Sequence, residues 1–165
     1  MMITKTYPIT EQLIINGLAL TEQLFQLLTA ESRLLKYSKK AAQINHTAIQ
    51  KQQLVVQLND FAQQLAKILA TAQQTNTPEG IEKYFSSARA AHLDTAKTLR
   101  NWAELTHLSK KCRHLNEQNG AAIELLSRHT QRALHIIKGK PQTVSTYGPD
   151  GSTNGEMYSR PLISV

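Results

Sequence analysis

The chain has one cysteine, Cys112, in 165 residues. That excludes a disulfide framework and removes any reason to invoke an oxidising compartment. Aromatic residues make up 5% of it, too few for a thick globular core and in keeping with long helices that meet along narrow apolar seams. No Gly-rich phosphate loop, Ser/His/Asp arrangement or carboxylate pair occurs, so no residue set supports an enzyme or a bound cofactor. The N-terminal stretch lacks a signal-peptide core, and no apolar run reads as a membrane span. A cytoplasmic protein is the expectation. Glycine and proline are scarce until Gly139, after which Pro141, Gly148, Pro149, Gly151, Gly155 and Pro161 follow within a short stretch. The distribution predicts a helical bundle domain over residues 1–139 and a flexible Pro/Gly/Ser-rich tail over 140–165.

The net charge of +7 is uneven. Residues 1–80 carry 7 basic and 5 acidic groups, residues 81–140 carry 11 and 5, and the tail carries 1 and 2. The excess therefore lies on the second half of the helical body. It suits an acidic protein, nucleic acid or a membrane surface, or a plain solvated face. The densest cluster, His107, Lys110, Lys111, Arg113 and His114, has no stacking group reserved beside it, since Trp102 is better placed as core. Nucleic-acid binding ranks low on that ground. His107 and His114 stand about 10 Å apart along a helix, too far to share one metal ion. Cys112 falls on an apolar seam, where a thiol behaves as a small hydrophobe.

Spacings of three and four place Leu13, Gly17, Leu20, Leu24, Leu27 and Leu34 on one seam, with Leu28 and Leu35 beside it. The pattern predicts a first helix from about Pro8–Thr10 to Tyr37, with Pro8 in its first turn. Thr47-Ala-Ile-Gln50 matches a capping box and predicts a second helix from Thr47. Its seam is Leu54, Leu58, Phe61, Leu65, Ile68 and Ala72, and Thr75-Asn-Thr-Pro-Glu-Gly80 breaks it. Residues 81–90 read as a short helix or an ordered loop. From about His92 a helical pattern runs to Lys138, with Trp102, Leu105, Ser109, Cys112, Asn116, Asn119, Ile123, Leu126, Thr130, Ala133 and Ile137 along its seam. Gly139 and Pro141 stop it. The fold class is all-α: an antiparallel up-down bundle of long coiled-coil-like helices.

Two features of the last helix point beyond packing. Asn116 and Asn119 form a polar seam at core-facing positions, where a buried Asn fixes register, and Gly120 beside them is costly mid-helix unless another backbone packs close. Further on, Ile123, Leu126, Leu134, Ile136 and Ile137 exceed what one narrow seam requires. An uncovered amphipathic segment of this kind is a helix-pairing surface. In the tail, Gly148-Pro149-Asp150-Gly151 reads as a tight turn that presents Tyr147.

Leu-Leu-Thr-Ala-Glu31 with Leu34-Leu35, Gln50-Lys51 before the Leu54/Leu58 seam, Trp102, Asn116-x-x-Asn119-Gly120 and Tyr147-Gly-Pro-Asp-Gly151 occur in that order. The ordered set, over about residues 10–153, resembles the FlgN family of bacterial flagellar export chaperones. The resemblance implies a cytoplasmic, non-enzymatic chaperone for the hook–filament junction proteins FlgK and FlgL, delivering them to the type III export apparatus. It implies that Tyr147, supported by Gly148 and Gly151, docks on the export-gate protein FlhA. It would place the cargo surface on the second half of the last helix and the tail, where the apolar surplus read above makes Ile123, Leu126, Leu134 and Ile137 the candidate cargo contacts, and small-molecule substrates, nucleic acid and membrane insertion would have no part. The rival expectation is a structural coiled-coil protein whose long helices oligomerise.

Overall fold

The computed structural model describes residues 2–38, 40–138, 146–147 and 153–154. Four helices follow one another: α1 (Met2–Arg33), continued by a π-helical turn at Leu34–Ser38, then α2 (Ala41–Thr71), α3 (Pro78–Ala90) and α4 (Ala96–Ile137). Two short strands, β1 (Thr146–Tyr147) and β2 (Thr153–Asn154), pair antiparallel with Thr146 opposite Asn154 and Tyr147 opposite Thr153. The all-α class expected from the sequence is the class observed. Contacts divide the chain into two units, Met1–Asn119 and Gly120–Val165, so the division falls inside α4. The expected turn at 148–151 lies outside the described residues.

In the first unit, α1 is the element on which the others pack. Tyr7, Ile14, Thr21, Leu28 and Leu35 are buried at intervals of seven, with Thr10, Gly17 and Glu31 buried between them. A heptad is therefore present, but its centre is rotated from the expected seam: Leu20, Leu24, Leu27 and Leu34 are half-buried flanks. Hydrophobicity alone misplaced the centre because two threonines and a glutamate occupy it. By length and composition, Ile3–Tyr37 is also apolar enough to cross a membrane, contrary to the expectation that no run would be. Within the fold it is the helix that buries Leu13, Ile14 and Leu28.

α1 and α4 run parallel in one constant register. Tyr7 pairs with Thr98, Thr21 with Cys112 and Leu28 with Asn119, each across a separation of 91 residues. That separation is a whole number of heptads, so the same seam position on each helix meets the other. α2 runs back antiparallel between them in sequence, as Glu31–Lys51 and Gly17–Phe61 both require. The up-down-up order of the three long helices follows.

Local chemistry sets the helix ends, with several departures from expectation. α1 starts at Met2, ahead of Pro8, which sits inside it. Proline costs a ladder hydrogen bond there, but tertiary contacts hold the first turns. Ile3 packs on the core, and the Tyr7 hydroxyl donates to the Asp94 carbonyl at 2.9 Å and lies 2.9 Å from Thr98 Oγ1. The capping box at Thr47 does not form. α2 begins at Ala41, and Thr47 lies within it, its hydroxyl donating to the Gln43 carbonyl four residues back. Residues 81–90 belong to α3, which Thr77 caps by accepting from the Gly80 N–H, with Pro78 at the first helical position. α4 starts at Ala96 rather than His92, because His92 has φ 60° and Asp94 accepts the Ala96 N–H.

The main core lies where α3 meets the long helices. Tyr7, Leu13, Ile14, Leu65, Leu69, Tyr84, Phe85 and Ala88 form it, with Phe61, Leu99 and Trp102 packed against it. Tyr84 and Phe85 meet edge to face at 5.9 Å, and the Tyr84 hydroxyl lies 2.8 Å from Thr10 Oγ1 and 3.2 Å from Thr6 Oγ1.

Candidate functional site

One buried ionic node ties α1, α2 and α4 together. Glu31, on the buried stripe of α1, is fully buried. Lys51 of α2 reaches it with Nζ at 3.0 and 3.2 Å from the two carboxylate oxygens. Asn119 of α4 donates from Nδ2 to Glu31 Oε2 and to the Leu28 carbonyl, both at 2.9 Å. A buried carboxylate is tolerated only when charge and hydrogen bonds are both supplied, and here both are. The amide fixes which turn of α4 lies beside which turn of α1, the register role a buried Asn plays in coiled coils.

Beside the node lies an open groove of about 540 Å3 between α2 and α4, floored by α1. Its floor is Thr21, Leu24 and Leu28, and its walls include Val55, Leu58, Phe61, Ala62, Leu105, Ser109, Cys112 and Asn116. The floor's polar groups are already engaged: the Thr21 hydroxyl donates to the Gly17 carbonyl and the Cys112 thiol lies 3.7 Å from the Thr21 carbonyl. Burial raises the Cys112 pKa, so the thiol stays neutral in its seam and is a poor nucleophile. Among the described residues no buried side-chain polar atom lacks a partner, and no cluster of His, Cys, Asp or Glu could hold a metal.

The residues singled out from the sequence fall into three places. Asn119 is buried in the node, whereas Asn116, also expected to face the core, is exposed and lines the groove. Gly120 has open space around it: a Cβ built there meets nothing within 4 Å. The expected close backbone at this glycine is therefore absent among the described residues. Ile123 and Leu126 are half-buried, while Leu134 and Ile137 are exposed, together with Leu125 and Ile136. Tyr147 lies in β1 opposite Thr153, and Gly148 and Gly151 lie outside the described residues. The Glu31–Lys51 contact was not foreseen as a pair. Its signal was present, since a glutamate at a heptad position between Leu28 and Leu35 demands a buried partner.

The fold thus defines an all-α helical protein whose conspicuous features are apolar surfaces and a charge-locked seam. Residues 2–155 match the family model described as FlgN protein. The chain belongs to the FlgN family, a family of flagellar export chaperones. Neither the curated proteins nor the solved structures yield a match. Glu31, Lys51 and Asn119 come from three separate elements of the signature read in the sequence, and they meet at one point in space.

Proposed function

We propose that this chain is a cytoplasmic, non-enzymatic type III export chaperone for the hook–filament junction proteins FlgK and FlgL. It binds their C-terminal helical segments, keeps them from assembling early and presents them to the export gate through FlhA. The observation that carries this reading is the uncovered apolar surface at the end of α4, where Leu134, Ile136 and Ile137 are 46%, 66% and 80% exposed. Exposed apolar side chains clustered on one helical segment are the usual mark of a protein-binding surface. In this reading Ile123, Leu126, Leu134 and Ile137 contact cargo, and Tyr147 with Gly148 and Gly151 docks on the gate.

Calorimetry with a C-terminal fragment of FlgK or FlgL tests it. A 1:1 complex is expected, weakened by Leu134→Ser with Ile137→Ser. No heat of binding from folded partners would overturn it. The same exposed stripe also favours a second reading, in which copies of the chain pair through it as a structural coiled coil. Light scattering separates the two: a mass that rises with concentration and falls back in the Leu134→Ser, Ile137→Ser variant supports self-association.

A further inference from the structure

The groove between α2 and α4 has the form of an incompletely filled helix position. At one end of the unit α3 places Tyr84, Phe85 and Ala88 in one core cluster with Leu65 and Leu69 of α2, and Trp102 of α4 packs against that cluster. α3 ends at Ala90. The groove is lined by heptad continuations of positions that form or flank the cluster holding α3. Leu58 and Lys51 continue Leu65 on α2, Ala62 and Val55 continue Leu69, and Ser109 and Asn116 continue Trp102 on α4. On α1, Leu24 stands two heptads from Thr10, which bonds Tyr84. The groove therefore prolongs a slot already shaped for a helix. From Lys51 to Phe61 it extends about 15 Å at 1.5 Å per residue, close to three helical turns.

Charge selects among helices. Arg113 lines the groove and Lys110 stands one turn before it on the same face of α4, against one acid, Glu117, which pairs with Arg113. Across the groove, α2 contributes Gln52 and no acid, and Lys51 is held by Glu31. The exposed helix that a second copy of this chain could offer, from Gly120 to Ile137, carries Arg128 and Arg132 against Glu124. Like charges would then meet, which disfavours a second copy.

We propose that this groove is a second docking site, distinct from the end of α4, and that it takes an amphipathic partner helix. That helix presents an apolar stripe to Leu24, Leu58 and Leu105 and an acidic flank to Lys110 and Arg113. The site goes beyond the cargo surface proposed above and does not depend on it.

The test uses the full chain and two synthetic helical peptides of about 18 residues, long enough to hold helix on binding. Both carry the same Leu stripe, one flanked by Glu and the other by Lys. Fluorescence anisotropy is expected to show the Glu peptide binding and the Lys peptide binding at least about tenfold more weakly. Val55→Glu and Ser109→Glu, both at partly solvent-exposed wall positions, should each weaken the Glu peptide by a similar factor, whereas Leu134→Ser with Ile137→Ser should leave it unchanged. Circular dichroism confirms that each variant is folded. Absence of binding, equal binding of the two peptides, or loss in the Leu134/Ile137 variant alone would each overturn the proposal. So would a dimer broken by Val55→Glu, which assigns the groove to a second copy. A gain in affinity on changing Leu162 and Ile163 to Ser would assign it to the chain's own tail.

Discussion

At the scale of single residues, the node around Glu31 makes an asymmetric prediction. Lys51→Met leaves a carboxylate buried without its countercharge, whereas Glu31→Gln leaves a lysine that is 23% exposed and able to reach water. Removing the cation should cost about 3–5 kcal/mol and removing the anion distinctly less. The double variant should recover much of the loss, because the two changes share one interaction. Urea denaturation of the three variants measures this, and equal single costs would show that the pair does not act as described. Cys112 makes a second prediction. Its pKa is raised by burial in the fold, so the folded state holds the thiol proton more tightly than the unfolded chain. Its contribution is therefore full below the unfolded thiol value of about 8.5 and lost as pH rises from there through the folded value. Cys112→Ala should flatten the decline in urea midpoint that sets in above about pH 8.5. Tyr7, also raised by burial, leaves a residual slope starting higher, near pH 10.

Elements are held by a few close approaches, and two glycines of opposite meaning test this. A Cβ on Gly17 would stand 2.5 Å from Phe61 Cε2 of α2, with two more ring carbons at 2.8 Å. The half-buried ring packs against the core and must shift toward the groove it lines, so Gly17→Ala should destabilise by about 1 kcal/mol, at the low end for overpacking. Gly120→Ala meets open space and should stabilise α4 by about 0.5–1 kcal/mol. Thermal melts and amide exchange through residues 121–137 read the two effects, and a reversal of either sign would contradict the packing. The three long helices were legible because leucine spacing survives along each of them, whereas α3 contains no leucine and read as a short helix or an ordered loop. Helix ends and faces were less legible. Thr47 looked like a cap and is an interior residue bonded to Gln43, since the same hydroxyl satisfies either role. The buried centre of α1 was displaced by one position because Thr10 and Glu31 are paired across helices and the Thr21 hydroxyl bonds back to the Gly17 carbonyl, properties that local hydrophobicity cannot register.

At the scale of the whole molecule, the candidate site was legible in part. The apolar excess after Ile123 was visible as a surplus over one seam, and the ordered signature pointed to the family whose model matches residues 2–155. The groove was not, because Val55, Ser109 and Asn116 acquire a common meaning only when α2 and α4 stand either side of α1. The proposed function implies a division of labour along one chain, with cargo on the end of α4 and the gate on Tyr147. Two weak contacts joined by a short linker act at high effective concentration, so each can be modest while the assembly stays selective. Tyr147→Ala should therefore leave the calorimetric affinity for a FlgK or FlgL fragment within about twofold, the spread expected of a change outside the cargo contact. It should sharply lower FlhA binding and export of the junction proteins. Leu134→Ser with Ile137→Ser should do the reverse, lowering cargo affinity at least about tenfold while FlhA binding by the free chaperone persists. Pull-down on immobilised FlhA, run with and without cargo, reads both arms. If Tyr147→Ala instead abolishes cargo binding, the tyrosine belongs to the cargo surface, and docking and carrying are one contact rather than two.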